Sequence, residues 1–329
     1  MLYSLDDITL IPGVLSPVSS RSECQPTYGG GRLPLIASPM SCVINEDNVE
    51  TFEEAGITTV LPRSVPLNNR LEYANSQFIA MGVDELEKFI TDVDHAVIEA
   101  SGAYICLDIA QGHMLKALSL ISKAKAINNL FIMAGNIANP QTYVEYAHAG
   151  VDFVRIGIGT GSVCSTSMGC GMHYPMGSLI IEINKIREQF GFGPKIVADG
   201  GFHTNDQIIK ALALGADYCM LGEIFAKTEE SCGRVVQRDE KYFYKEYYGM
   251  STKKAQKEFG KDGKKYEEGF YKTVKVEYTL QEWINRFKHD LSDAMSYAGV
   301  FVLNDFIGNI QYDIMSPNAR RAYYKEILL

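Results

Sequence analysis

The sequence predicts an α/β fold, a single (β/α)8 TIM barrel, from three observations. Eight short apolar runs rich in Val, Ile and Leu recur along the chain, at 33–40 (LPLIASPM), 56–62 (GITTVLP), 78–83 (FIAMGV), 104–110 (YICLDIA), 130–137 (LFIMAGNI), 153–158 (FVRIGI), 195–201 (KIVADGG) and 218–225 (YCMLGEIF). Their starts lie 23, 22, 26, 26, 23, 42 and 23 residues apart, the length that a strand, loop, helix and loop occupy. The segments between them carry helical patterns behind polar N-terminal caps, as in DELEKFITDVDHAVIEA and NPQTYVEYAHAG, and end at glycines such as Gly150 and Gly215. Continuous apolar strands in eight such units fit a closed parallel ring better than a doubly wound sheet, because a ring has no edge strand.

Taken in order, six of the eight strands end in residues that can do chemistry. The first ends at Ser38 and Met40, the fourth at Asp108 and Ala110, and the fifth at Asn136. The sixth runs into a loop at about 159–174, and the seventh ends at Asp199, Gly200 and Gly201. The eighth ends at Gly222 and Glu223. In a barrel of this kind the active site lies at the C-terminal ends of the strands, so these positions share one opening. The period breaks twice: after the sixth strand, and after the eighth, where a flap at about 226–278 precedes the helical segment LQEWINRFKHDLSDAMSYAG. Insertions on that face are expected to be functional and mobile loops. No second domain and no inserted regulatory module is expected within 1–329.

Composition narrows the function. With 329 residues and 46% apolar side chains the chain can bury a large core. Its formal charge of −9 argues against a protein that neutralises nucleic-acid phosphates. The N-terminal MLYSLDDITL lacks a basic and apolar leader, and no window approaches a membrane span, so the expectation is a cytoplasmic protein without membrane or nucleic-acid partners. Seven cysteines, scattered without paired C-x-x-C spacing, are expected to be reduced thiols. Cys106 and Cys219 sit in apolar runs and read as buried structural thiols.

Cys164 is different. It lies in GIGTGSVCSTSMGCG, residues 157–171, among glycines and hydroxyl side chains. The third glycine of a dinucleotide fingerprint is missing there, so a loop folded round an ion or ligand is the better reading. A thiol beside Ser165 and Thr166 and close to backbone N–H groups is placed to attack an electrophilic carbon. The ends of the last two strands, ADGG and LGEIFA, are barrel positions that bind phosphate through backbone N–H groups. His173 and Cys170 lack further ligands nearby and do not read as a metal pair.

SPM at 38–40, CLDIAQGH at 106–113, IMAGN at 132–136, GIGTGSVCST at 157–166, VADGG at 197–201, ALALGADYCMLGEIFAKTEES at 211–231 and YYGMS at 247–251 together resemble the IMP dehydrogenase and GMP reductase family. The resemblance spans most of residues 6–300. It implies a barrel that binds a purine nucleoside 5′-monophosphate, GMP or IMP, attacks purine C2 with Cys164, and passes hydride between C2 and a nicotinamide cofactor.

Within the family, IMAGN, CLDIA and YGMS are closer to the reductase branch. Residues 252–278 hold no arginine, whereas the dehydrogenase branch uses an Arg-Tyr pair in the flap to activate water. The resemblance then implies NADPH-dependent reductive deamination of GMP to IMP and ammonia. In that role Cys164, Thr166 and Glu268 are catalytic. Ser38, Met40, Ser162, Asp199, Gly200, Gly201, Gly222, Glu223, Tyr247, Gly249, Met250 and Ser251 hold the nucleotide, and Asp108, Ala110 and Gly159 hold the cofactor. It also implies a homotetramer and a potassium ion on the carbonyls of Gly159, Gly161 and Cys164. Three alternatives stay open: NADH or NAD as cofactor, an IMP dehydrogenase without regulatory modules, and a barrel that binds a purine nucleotide without turning it over. Ser41, Arg155 and Glu223 depart from the reductase pattern. Eight lysines between 253 and 275, against four acidic residues, make a basic island in the flap that reads as a solvated lid or as a steering patch for cofactor phosphates.

Overall fold

The eight apolar runs form the eight strands of a closed parallel barrel in the computed structural model, which describes residues 1–238, 242–258 and 269–324. The strands are β1 (Leu35–Ala37), β2 (Thr58–Leu61), β3 (Phe78–Met81), β4 (Ala103–Asp108), β5 (Leu130–Ile137), β6 (Phe153–Ile156), β7 (Lys195–Asp199) and β8 (Tyr218–Leu221). The ring closes where Leu35, Ile36 and Ala37 of β1 pair with Cys219, Met220 and Leu221 of β8.

The two-residue period of each strand divides its side chains between two environments. Ile36, Val60, Ala80, Cys106, Met133, Val197 and Met220 fill the barrel interior. Leu35, Leu61, Ile79, Ile105, Ile132, Ile156, Ile196 and Leu221 join the larger core that includes the helices. Phe78, Tyr104, Phe153 and Tyr218 belong to the interior layer, with Phe78 edge-on to both Tyr104 and Phe153 at 5.4 and 5.3 Å. The same alternation carries polar residues into the barrel at the other end. On β4 Tyr104 and Cys106 are followed by Asp108, on β6 Phe153 by Arg155, and on β7 Val197 by Asp199. An apolar plug therefore underlies a charged layer at the C-terminal ends of the strands.

The helical expectations hold with one refinement. Pro140–His148 is capped by Asn139, whose side chain accepts from Gln141 N–H, and Leu280–Ala298 is capped by Thr279. DELEKFITDVDHAVIEA forms two helices, Val83–Asp92 and His95–Ser101. The break falls at Asp94, whose carboxylate caps Ala96 N–H and so starts a new helix. Ile8–Leu10 pairs antiparallel with Tyr312–Ile314, joining the two ends of the chain beside the barrel.

The segment after β8 folds in part into an antiparallel sheet of β9 (Val235–Arg238), β10 (Phe243–Tyr248) and β11 (Tyr271–Lys275), with a short helix at Lys253–Glu258. Two charged side chains on β10 fix it. Lys245 is buried, and its ammonium donates to the carbonyls of Thr228, Glu229 and Ser231 at 3.3, 2.8 and 2.5 Å, tying the sheet to the barrel. Glu246 is buried as well and takes Arg234, Lys254 and Tyr271 as partners. Among the described residues no helix is long and apolar enough to cross a membrane.

Candidate active site

A cavity of about 390 Å³ opens at the C-terminal ends of the barrel strands, within the size range of small-ligand sites. It is lined by Ser38, Met40, Asp108, Ala110, Gly159, Gly161, Cys164, Thr166, Asp199, Gly200, Gly222, Tyr247, Gly249, Met250 and Ser251. These residues come from five strand ends and the flap, and all of them were expected at the site from the sequence. Ser162, Gly201 and Glu223 do not line the cavity, and Glu268 lies outside the described residues.

The charged layer forms the floor. Arg155, with its side chain 6% exposed, reaches Asp108 at 2.7 Å and Asp199 at 2.8 Å. Asn136 donates to the same Asp199 oxygen at 2.8 Å and to the carbonyl of Gly157 at 2.9 Å. Two carboxylates thus stand on either side of one guanidinium, and each keeps lone pairs for a hydroxyl or amide of a ligand.

The loop above it depends on glycines at two points. Gly157 has φ +120°, and a Cβ there would lie 2.5 Å from the carbonyl oxygen of Asp199. Gly159 has φ +72°, and a Cβ there would strike Ser167. These allow the chain to turn tightly out of β6 so that Thr160 can donate to the Asp199 carbonyl at 2.8 Å. Cys164 follows, half-buried, with its N–H on the carbonyl of Gly161 and its thiol 3.3 Å from Thr166 Oγ1. Thr166–Cys170 then forms a single helical turn. Burial pushes the Cys42, Cys106 and Cys232 thiols up to about 12, so none of these supplies a thiolate near neutral pH. Cys164 is the thiol among the residues that line the cavity.

The flap closes over this loop. The N–H of Phe270 donates to the carbonyl of Val163 at 2.9 Å, and the N–H of Gly269 donates to Ser165 Oγ at 2.7 Å. At the opposite rim the Tyr247 hydroxyl abuts Gly222, where a Cβ would approach it to 2.6 Å. Burial holds the Tyr247 phenol well above its ordinary range, so it remains a neutral donor. The carbonyls of Gly159 and Gly161 accept from the Ser167 hydroxyl at 3.2 Å and from Cys164 N–H at 2.9 Å. Each of these oxygens keeps a second lone pair, so with the carbonyl of Cys164 they are the groups that would hold a monovalent cation. Among the described residues no group of three His, Cys, Asp or Glu side chains is placed to hold a metal, and His173 instead meets the carbonyl of Ile158 at 3.0 Å.

The whole chain matches one family model. Residues 3–322 match the IMP dehydrogenase / GMP reductase domain. The chain belongs to this family. It is 33% identical to the GMP reductase of Oceanobacillus iheyensis over 328 residues, covering 95% of this chain and 96% of that protein. It is 33% identical to the GMP reductase of Mesoplasma florum, covering 90% and 93%, and 32% identical to that of Bacillus subtilis, covering 95% and 96%.

Sequence reasoning assigned no role to several cavity residues, Arg63 and Gln256 among them. Arg63 lies two residues past the end of β2 and is bonded to Glu85 at 3.1 Å while lining the cavity. Its signal was its place in LPR at the end of a strand. Gln256, from the flap helix, also lines the cavity, and its buried Oε1 has no hydrogen-bond partner among the described residues. No sequence motif marks it.

Proposed function

We propose that this protein is a GMP reductase that deaminates GMP reductively to IMP and ammonia with NADPH, by covalent catalysis on Cys164. The observation that carries the reading is Cys164 in a single cavity between the Asp108–Ala110 edge and the Gly222–Tyr247 edge, in a chain similar along its length to GMP reductases. Direction rests on the flap: without an arginine in 252–278 it lacks the pair that activates water in the dehydrogenase branch, and reductive deamination needs no water.

In this reading Gly222, Tyr247 and the Ser38–Met40 turn receive the phosphate end of the nucleotide, and Asp199 accepts from its ribose hydroxyls. The Cys164 thiolate adds to C2 of the purine and the electron pair moves to N3, which takes a proton. The 2-amino group gains a proton and leaves as ammonia while N3 gives its proton up, which leaves a thioimidate on the sulfur. Hydride addition at C2 then expels the thiolate and yields IMP. Thr166, beside the sulfur, and Glu268 move the protons. Asp108, Ala110 and Gly159 form the open polar edge that fits a nicotinamide nucleotide, and that group supplies the hydride when bound.

The test is a pair of assays that follow reduced nicotinamide. NADPH with GMP should be consumed with release of equal amounts of ammonia and IMP. XMP formed from IMP and NAD, with no GMP turnover, would overturn the reading in favour of a dehydrogenase, whose arginine in the sixth strand this chain shares at Arg155.

A further inference from the structure

Glu223 puts a carboxylate next to the rim where the substrate's phosphate is read to bind, and this negative charge arrives with its own cation. Glu223 Oε2 lies 2.9 Å from Lys272 Nζ on β11 and 3.5 Å from His203 Nδ1. Lys272 also stands over the Tyr247 ring, 5.6 Å from its centre. Burial raises the Glu223 carboxyl, but the adjacent Ser162 hydroxyl and Lys272 outweigh it and hold the carboxyl below its ordinary range. Ser162 Oγ and Glu223 Oε2 are both shielded from solvent and neither has a partner of full hydrogen-bond geometry among the described residues, so Ser162 and Lys272 act on the carboxylate by proximity. Ser162, Tyr247, Lys272 and His203 are therefore the surroundings of an anion, and the anion now among them is the protein's own.

We propose that Lys272 and Glu223 form a specificity pair for the 5′-phosphate: Glu223 keeps Lys272 beside the rim in the empty site, and an arriving phosphate takes Lys272 over from it. The inference rests on the purine nucleotide reading given above. A phosphate dianion is the stronger acceptor for an ammonium on a flexible four-carbon stem, so the exchange favours the nucleotide. A nucleoside, with a neutral 5′-hydroxyl, has nothing to offer Lys272 and leaves the ion pair intact. Lys272 belongs to the flap sheet and Glu223 follows β8, so the exchange also changes what holds the flap to the barrel.

Calorimetric titration of the full chain with GMP and with guanosine tests this. Lys272→Met should raise the Kd for GMP on the order of 10-fold or more, because it removes a charge-assisted contact and leaves Glu223 without its ammonium partner beside the phosphate. Glu223→Gln should lower the GMP Kd several-fold, because it removes both the repulsion and the competitor. Neither substitution should shift the guanosine Kd by more than about twofold, and Lys272→Arg should restore most of the GMP affinity. A merely structural pair gives another pattern, in which both variants weaken GMP and guanosine together, and that pattern would overturn the proposal. Wild-type binding and turnover of GMP with no response to either variant overturns it alone, whereas a wild-type chain that binds neither ligand overturns the nucleotide reading with it.

Discussion

Arg155 Nη2 lies 2.8 Å from Asp199 Oδ2, and through its other nitrogen the same guanidinium reaches Asp108 at 2.7 Å, so one buried cation ties the ends of β4 and β7 to β6. Removing it strands two carboxylates in a largely buried layer. Arg155→Met should therefore lower stability by about 3–5 kcal/mol, measured by urea unfolding, and displace both carboxylates from the cavity floor. Arg155→Lys should recover only part of that loss, since an ammonium lacks the planar fork that spans two acceptors. Equal stability of wild type and Arg155→Met would show that the layer is indifferent to its cation.

Cys164→Ser keeps the loop's shape and removes the nucleophile. Turnover of GMP should fall about a thousandfold or more while calorimetry still detects nucleotide binding, because the residues read as phosphate and ribose contacts are separate from the sulfur. Loss of binding together with turnover would point to a structural role for the thiol.

The barrel was legible because its strands are continuous apolar runs of regular spacing, and the cavity followed because a closed barrel fixes which ends of those strands meet. Asp199 was placed at the cavity in this way, Cys164 by its polar, glycine-rich loop, and Tyr247 by the resemblance that YYGMS carries. The Arg155 bridge was not, although Arg155 stood out in the sequence. Its partners lie 47 and 44 residues away, and only the closed ring brings three separate strands to one charge. The Ile8–Leu10 and Tyr312–Ile314 pair was invisible for the same reason, as three-residue strands at opposite ends of a chain carry no local signal. The flap sheet escaped notice because charged residues at buried positions interrupt its aromatic and apolar pattern. Lys245 and Glu246 are neighbours on β10 and both are buried, each satisfied by partners that a one-dimensional pattern does not display.

Glu246 makes the flap sensitive to acid. Hydrogen bonding to Arg234 outweighs the opposing effect of burial, and with Lys254 and Tyr271 it holds the carboxyl at about 2 instead of 4.5. A carboxyl depressed on folding stabilises the structure above its unfolded value and loses that contribution as pH falls through the folded one. Hydrogen-exchange protection of β10 and β11 should accordingly decline between about pH 4.5 and pH 2. In Glu246→Gln protection should be lower at neutral pH and should vary less across that window. An unchanged acid profile in the variant would remove Glu246 as the source.

Gly157→Ala tests the turn out of β6. With φ at +120° and a Cβ 2.5 Å from the Asp199 carbonyl oxygen and 2.8 Å from Met176 Cε, the methyl has no room, so a loss of about 2–4 kcal/mol in stability and a sharp fall in turnover are expected. Gly169→Ala, where a Cβ meets nothing within 4 Å, should leave stability within about 0.5 kcal/mol of wild type. Similar melting temperatures for both variants would contradict the steric account.

The two hydrogen bonds from Gly269 and Phe270 grip the residues on either side of Cys164, at Val163 and Ser165, and leave the cysteine itself untouched between them. Parting both bonds frees the backbone before and after the sulfur in one event. The thiol therefore reports on the clasp: a small alkylating reagent that reaches Cys164 through the cavity should consume it at a different rate once the bonds from Gly269 and Phe270 are broken.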